Sequence, residues 1–241
     1  MVRKLTALLL CGIILLSGCV PDKKDDGSNG AASPGIENIT VGILSGDVAG
    51  REKEYIKVSG HPDSEIEDAL NSDLFLFSTW DDVEDKDYTL GYAVVGNYLS
   101  VRRTGIRYKE GDAYPVSFLE TQIFDLETGN QAEKAGSIGD FLQIGQELRN
   151  FITSGTFKQI HPDGIEIEGA AERLAVEIVD NYDTTYETFE MRFYLTETSI
   201  VLYIEVSHAE GDYWACEAAY SDIRPALQKR VKLALGWDPY E

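Results

Sequence analysis

The apolar positions of this chain fall into three regimes. Leu5 to Leu16 is an apolar run interrupted only by Thr6, whereas Val20 to Gly35 holds no large apolar side chain after its first residue. From Ile36 the apolar residues become periodic. Ile39, Val41 and Ile43 alternate with threonine and glycine, and Tyr55-Ile56-Lys57-Val58 follows a charged turn, which predicts two early strands. Ile66, Leu70, Leu74 and Phe77 recur at spacings of four, four and three, one face of a helix from Glu65 to about Trp80. His61-Pro62-Asp63-Ser64 supplies its start. Asp63 or Ser64 serves as N-cap, and Glu67 stands three residues after Ser64 as in a capping box.

Three β-branched and aromatic stretches come next, Asp87 to Val95, Tyr98 to Tyr108 and Tyr114 to Leu126, broken at Gly96-Asn97 and Gly111-Asp112. Such short connections predict an antiparallel meander. Two further helices are expected over Ile138 to Ile152 and Ala170 to about Asp183. The strands Phe189 to Leu195, Ile200 to Val206 and Tyr213 to Tyr220 follow, the first pair joined by a turn at Thr196 to Ser199. A final helix is expected over Asp222 to Leu235. Ile223, Leu227, Val231 and Ala234 would face inward, and Arg224, Lys229, Arg230 and Lys232 would form a basic outer face. The pattern predicts one α+β domain over residues 36–241, with antiparallel sheets and three to four packed helices.

The N-terminal regimes carry a different message. Arg3 and Lys4 before the apolar run give the layout of a secretory signal. The run is shorter than the roughly 20 apolar residues that span a bilayer. Its end, Leu16-Ser17-Gly18-Cys19, resembles the bacterial lipobox, in which cleavage precedes a cysteine that then carries lipid. The alternative is an ordinary secretory signal with an incidental cysteine. Under the lipobox reading residues 1–18 are a signal peptide and Cys19 is the anchor. Its acyl chains hold the protein to the extracytoplasmic face of a bacterial membrane at about 0.8 kcal/mol per buried methylene. Residues 19–35, rich in Gly, Ser, Ala and Asp, then read as a flexible tether.

Charge narrows the partners. The chain carries 42 acidic against 21 basic residues, a net charge of −21, which disfavours nucleic acid and anionic lipid and attracts cationic partners. Acidity that merely keeps an exported protein soluble is the competing reading. Cys11 leaves with the signal and Cys19 takes lipid, so Cys216 stays alone, without an intramolecular disulfide partner and in an apolar run that suits a buried inert thiol.

Motifs of catalysis are scarce. The three histidines, His61, His161 and His208, form no HExxH and no pair at i, i+4, and the His-Pro-Asp runs at 61 and 161 read as turn and capping devices. No G-x-S-x-G elbow, Walker A loop or G-x-G-x-x-G fingerprint occurs. The acidic run Asp81 to Asp87 lacks the central glycine and terminal glutamate of an EF-hand loop. No catalytic residue, metal ligand or cofactor is therefore assigned.

A set of short motifs does recur in a recognisable order. Tyr98-Leu99-Ser100-Val101-Arg102-Arg103 leads to Gly111-Asp112-Ala113-Tyr114-Pro115, then to Phe124-Asp125-Leu126-Glu127-Thr128-Gly129-Asn130 and Ile138-Gly139-Asp140-Phe141. Phe193-Tyr194-Leu195-Thr196, Glu205-Val206 with Gly211, and Tyr220-Ser221-Asp222-Ile223 follow. This order is similar to the extracytoplasmic domain family shared by the lysozyme-binding anti-sigma factor RsiV and the N-terminal region of the peptidoglycan deacetylase PdaC. The chain departs from that family at Gly-Asp-Ala-Tyr, where the family has Gly-Gly-Ala-His, and at Ser207-His208-Ala209-Glu210, where the family is proline-rich. Neither a sigma-binding segment nor a deacetylase module is expected in this chain.

The resemblance implies a non-catalytic domain that binds a cell-envelope ligand, either a lysozyme-like cationic protein or peptidoglycan. Tyr108, Tyr114, Tyr213 and Trp214, the aromatics near the two divergent loops, are the expected contacts, with strand packing as their other reading. An envelope hydrolase using unrecognised carboxylates and a purely structural envelope protein are the alternatives.

Overall fold

The computed structural model describes residues 38–48, 50–79, 84–108, 113–130, 138–164, 166–180 and 192–240. These belong to one compact unit, Ser33–Glu241. The signal sequence, Cys19, residues 81–83 of the acidic run and the Gly111-Asp112 break lie outside the described residues.

The first alternating stretch forms a hairpin, β1 (Thr40–Val48) and β2 (Arg51–Ser59), in antiparallel register. Ile56 and Val58 occupy every second position of β2 and are buried, as a half-buried strand requires. Helix α1 (Ser64–Thr79) lays Leu70, Leu74 and Phe77 against them, burial worth about 1.5–3 kcal/mol per side chain. Its start differs in detail from the expected capping box. Asp63 Oδ1 accepts the amide of Glu65 at 2.9 Å, while Glu67 reaches past Ser64 to accept the amide of His61 at 2.8 Å. The His61 ring in turn bridges Asp63 and the Leu126 carbonyl, so this His-Pro-Asp run is a turn device that also ties α1 to a distant strand end.

The meander is β3 (Glu84–Val95), β4 (Tyr98–Tyr108) and β5 (Val116–Asp125), in that spatial order. Gly96 and Asn97 form the turn between β3 and β4. Gly96 has a φ of +57°, and a Cβ there would sit 2.4 Å from that of Ala234, so only glycine satisfies both the backbone and the neighbour. Each face of the sheet packs in part against another element. Leu99, Val101 and Phe124 meet α1 and the hairpin. On the other face, Ser100 Oγ accepts the amide of Leu195 at 2.9 Å and Thr121 donates to the Phe193 carbonyl at 3.0 Å.

Those residues belong to a four-stranded antiparallel sheet ordered β6 (Lys158–His161), β9 (Tyr213–Ala219), β8 (Ser199–Glu205), β7 (Arg192–Leu195). β8 is buried at every position but the last, which marks a central strand. One of its faces carries Ile200, Leu202 and Ile204, which share the main core with Trp214, Cys216 and the helices. The protein is thus α+β, with three antiparallel sheets among the described residues.

The later helices depart from their predicted lengths. The expected helix over Ile138–Ile152 is two, α2 (Ile138–Phe141) and α3 (Gln146–Thr153), and the last is a 3₁₀ segment (Tyr220–Ala226) followed by α5 (Lys229–Ala234). The two breaks face each other. Gln143 donates its amide to Ala226, Gln228 donates to Phe141, and the Gln228 side chain reaches Gly139. Pro225 has no amide to donate, and these cross-chain bonds replace the helical ones. The third helix is α4 (Ala170–Ala175), continued by a π-turn over Val176–Asp180. The basic outer face is also corrected, because Lys232 is buried and only Lys229 and Arg230 project from α5. Strand β6 was not foreseen: four residues with alternating exposure carry too short a period to register in sequence.

Candidate functional site

The described residues of the two loops at which the chain departs from its resemblance meet through Tyr114 and His208. The β8–β9 connection is organised first by its own residues. Ser207 opens a 3₁₀ turn over His208–Glu210, and its amide and hydroxyl both donate to the Glu210 carboxylate, at 3.1 and 2.8 Å. These two donors hold Glu210 below the ordinary carboxylate range, and Arg173 pairs with it at 3.2 Å. Gly211 and Asp212 then both adopt positive φ, +106° and +72°. Left-handed backbone is costly for a residue with a Cβ, but aspartate is among those that tolerate it.

That conformation aims the Asp212 carboxylate inward. It is only 8% exposed. One oxygen accepts the amide of Ser117 at the start of β5, at 2.7 Å, and the other meets His208 Nδ1 at 2.8 Å. One carboxylate therefore stitches the β8–β9 loop to the β4–β5 hairpin. The His208 ring lies parallel to that of Tyr114, 5.5 Å between centroids and 16° between planes. Tyr114 is 64% exposed on its outer side.

The adjoining ends of β4 and β5 also carry exposed apolar residues. Ile106, Tyr108 and Val116 are all exposed, at the end of β4 and the start of β5. Val116 pairs with Arg107 and points to the opposite face from Ile106 and Tyr108, so the apolar patch of one face is formed by Ile106 and Tyr108, two positions apart on β4. The stem below it is fixed by charge. Glu120 accepts from Arg103 through Nε and an Nη at 3.1 and 2.7 Å, and from Arg107 at 2.6 Å. Burial pushes the Glu120 carboxyl up, but the two guanidinium groups outweigh it and hold its pKa below the ordinary value. Arg103 is buried, and Arg107 packs over Phe118 at 4.5 Å.

Tyr213 is half-buried, stacked on His161 at 3.7 Å and edge-on to Tyr203, and burial raises its phenol pKa. His161 also bonds the Gly211 carbonyl at 3.2 Å, so the second His-Pro-Asp run supports the same loop. Trp214 lies elsewhere. It is buried in the main core with its indole N–H donating to Gln159 at 2.8 Å. Tyr213 and Trp214 are adjacent in a strand and must point to opposite faces, so they never shared one surface.

Of the expected contacts, the structure leaves Tyr108 and Tyr114 exposed, half-buries Tyr213, and places Trp214 in the core. The residues that back Tyr114, His208 and Asp212, were not singled out from sequence. Their only signal was a histidine four residues before an aspartate with a glycine between them. Cys216 is buried, which pushes its thiol pKa far up and leaves it protonated. Among the described residues no group of three His, Cys, Asp or Glu side chains is placed to hold a metal ion, and no described helix is long and apolar enough to cross a membrane. No family model, curated protein or solved structure matches the chain.

Proposed function

We propose that this chain is a bacterial surface lipoprotein, anchored through Cys19, whose α+β domain binds a cationic protein partner of the cell envelope without transforming it. The observation that carries the reading is the exposure of Tyr114 and of Ile106 and Tyr108, which share one face of β4 at the open end of the β4–β5 hairpin. Tyr114 is backed by the His208 ring, which Asp212 ties to Ser117. Rigid exposed tyrosines give contact area at low entropic cost, as binding hot spots do.

The net charge of −21 supplies the second half of the argument. A cationic partner would be steered toward the domain and held by the exposed apolar side chains, whereas a neutral glycan would gain nothing from the field. The resemblance to lysozyme-binding domains agrees in direction, and the divergent loops are where partner choice would change.

Calorimetric titration of the purified chain with lysozyme, at low and at moderate salt, tests this. The reading expects saturable binding that survives moderate salt and weakens at least about tenfold in Tyr114→Ala, a loss of about 1.4 kcal/mol. Binding that disappears at moderate salt, or that Tyr114→Ala leaves unchanged, overturns it. Release of soluble fragments from purified peptidoglycan by the chain alone would favour the hydrolase alternative.

A further inference from the structure

The hairpin β1–β2 is a two-stranded sheet of its own, so each strand has one edge that no described strand pairs. The two edges are treated differently. The outward amide of Ile56 donates to Ser78 Oγ at 3.1 Å. The outward amide and carbonyl of Val58 are both taken by the Asn71 side chain, at 2.8 and 2.9 Å. Helix α1 thus covers the edge of β2 with two side chains.

These same bonds set the phase of the ladder. In an antiparallel pair, residues whose backbone groups point outward lie opposite one another. Ile56 faces Ile43 and Val58 faces Val41, so on β1 the outward-pointing residues are Val41, Ile43, Ser45 and Asp47. The Val41 carbonyl is occupied by the hydroxyl of Tyr92 at 2.8 Å. The backbone groups of Ile43, Ser45 and Asp47 have no partner among the described residues, and they form a continuous open edge.

The sequence of this edge sharpens the point. Natural edges are protected by lysine, other charges, proline or a bulge. β2, Arg-Glu-Lys-Glu-Tyr-Ile-Lys-Val-Ser, carries five charged residues although α1 already covers its edge. β1, Thr-Val-Gly-Ile-Leu-Ser-Gly-Asp-Val, carries one, Asp47 at the hairpin tip, in a chain that is 26% charged. Ile43 and Leu44 are both exposed and, as neighbours in a strand, offer an apolar contact on each face. The pairing of β1 with β2 continues through to Val48↔Arg51 with no register shift, so no bulge turns the edge aside.

We propose that the β1 edge, centred on Ser45, is a docking site for an extended polypeptide segment with basic residues, which adds to the hairpin as a third strand. Only a polypeptide backbone matches a row of alternating amides and carbonyls. The net charge of −21 selects a basic segment and disfavours a second copy of this chain. This site is separate from the Tyr114 surface and does not depend on that surface's function.

Amide hydrogen exchange followed by NMR on the intact chain tests the proposal. The probe is a nine-residue synthetic peptide alternating valine with lysine and threonine, and the control is the same peptide with its central residue replaced by proline. The proposal expects saturable binding of the probe, with exchange at Ile43, Ser45 and Asp47 slowed at least about tenfold and weaker protection with the control. Ser45→Pro removes one outward amide without touching the β1–β2 ladder and should abolish the effect. Ile43→Lys, which restores a protective charge on the native backbone, should reduce it.

No protection by the probe overturns the proposal, as does equal protection by the control. Protection that rises with protein concentration without peptide overturns it in favour of self-association. Loss of lysozyme binding in Tyr114→Ala with probe binding intact is the result expected of two independent sites.

Discussion

Replacing Glu120 by glutamine tests the electrostatic account of the β4–β5 stem. The substitution keeps the shape and removes the charge that three donors share. Arg107 is 31% exposed, so water re-solvates it and its share of the loss is small, within about 1 kcal/mol. Arg103 is different: its side chain is 1% exposed, and in the variant its cation stays buried with a neutral acceptor. Breaking a fully buried pair costs about 3–5 kcal/mol. Glu120 is itself 36% exposed, so solvent screens part of that cost, and about 2 kcal/mol is the expected loss. For a domain of this size that corresponds to a fall of about 4–8 °C in Tm.

Urea unfolding of the wild type, Glu120→Gln, Arg103→Met and the double variant measures the coupling. The double variant removes the buried charge together with its partner, so it should be more stable than the sum of the single losses by about 1 kcal/mol or more. The pH dependence carries a sign. The folded pKa of Glu120 lies below its ordinary value of 4.5, so on acidification the unfolded chain takes up the proton first. The advantage of the wild type over Glu120→Gln is complete above that ordinary range and is lost as pH falls through the folded pKa. A loss under about 0.5 kcal/mol at neutral pH, or an advantage that grows on acidification, refutes the reasoning.

Three further outcomes follow from single observations. Gly96→Ala forces a Cβ onto Ala234 at a positive φ and should cost about 2 kcal/mol or more in chemical denaturation. Asp212→Ala unties Ser117 from the β8–β9 loop; a loss of about 1–3 kcal/mol is expected, with faster amide exchange at Ser117 and unchanged exchange at Leu74. Cys216, buried with its thiol pKa raised by burial, should resist a thiol reagent in the native protein and react at the rate of unfolding in urea, which mass spectrometry resolves.

Much of the fold was legible because local pattern and tertiary role agree in it. Ile66, Leu70, Leu74 and Phe77 read as one helix face, and the structure buries Leu70 and Leu74 fully and most of Phe77. The meander was legible for the same reason: strands with short turns between them have few ways to pair. Asp125 to Asn130 behaved as its side chains dictate. Asp125 caps the amide of Glu127, and Gly129, at φ +72°, packs where a Cβ would stand 2.8 Å from Ile66.

The site was less legible, because its residues depend on elements far apart in the chain. Tyr114 and Tyr108 are expected contacts by their proximity to a divergent loop and are exposed, whereas strand alternation turns Trp214, expected on the same ground, into the core. Asp212 bonds a residue 95 positions away, which no local spacing encodes.

By itself, the sequence determined the helical and strand periods of the domain, its α+β class, its acidity and the positions of its tightest turns, since each follows from residues within a few positions of one another. The tertiary structure alone decided where the later helices break, that Arg103 is buried against Glu120, and that Asp212 joins the β8–β9 loop to the start of β5. It also decided which hairpin edge α1 covers. Each of these is a contact between distant segments, and only packing determines which backbone groups and charges meet once the chain has closed on itself.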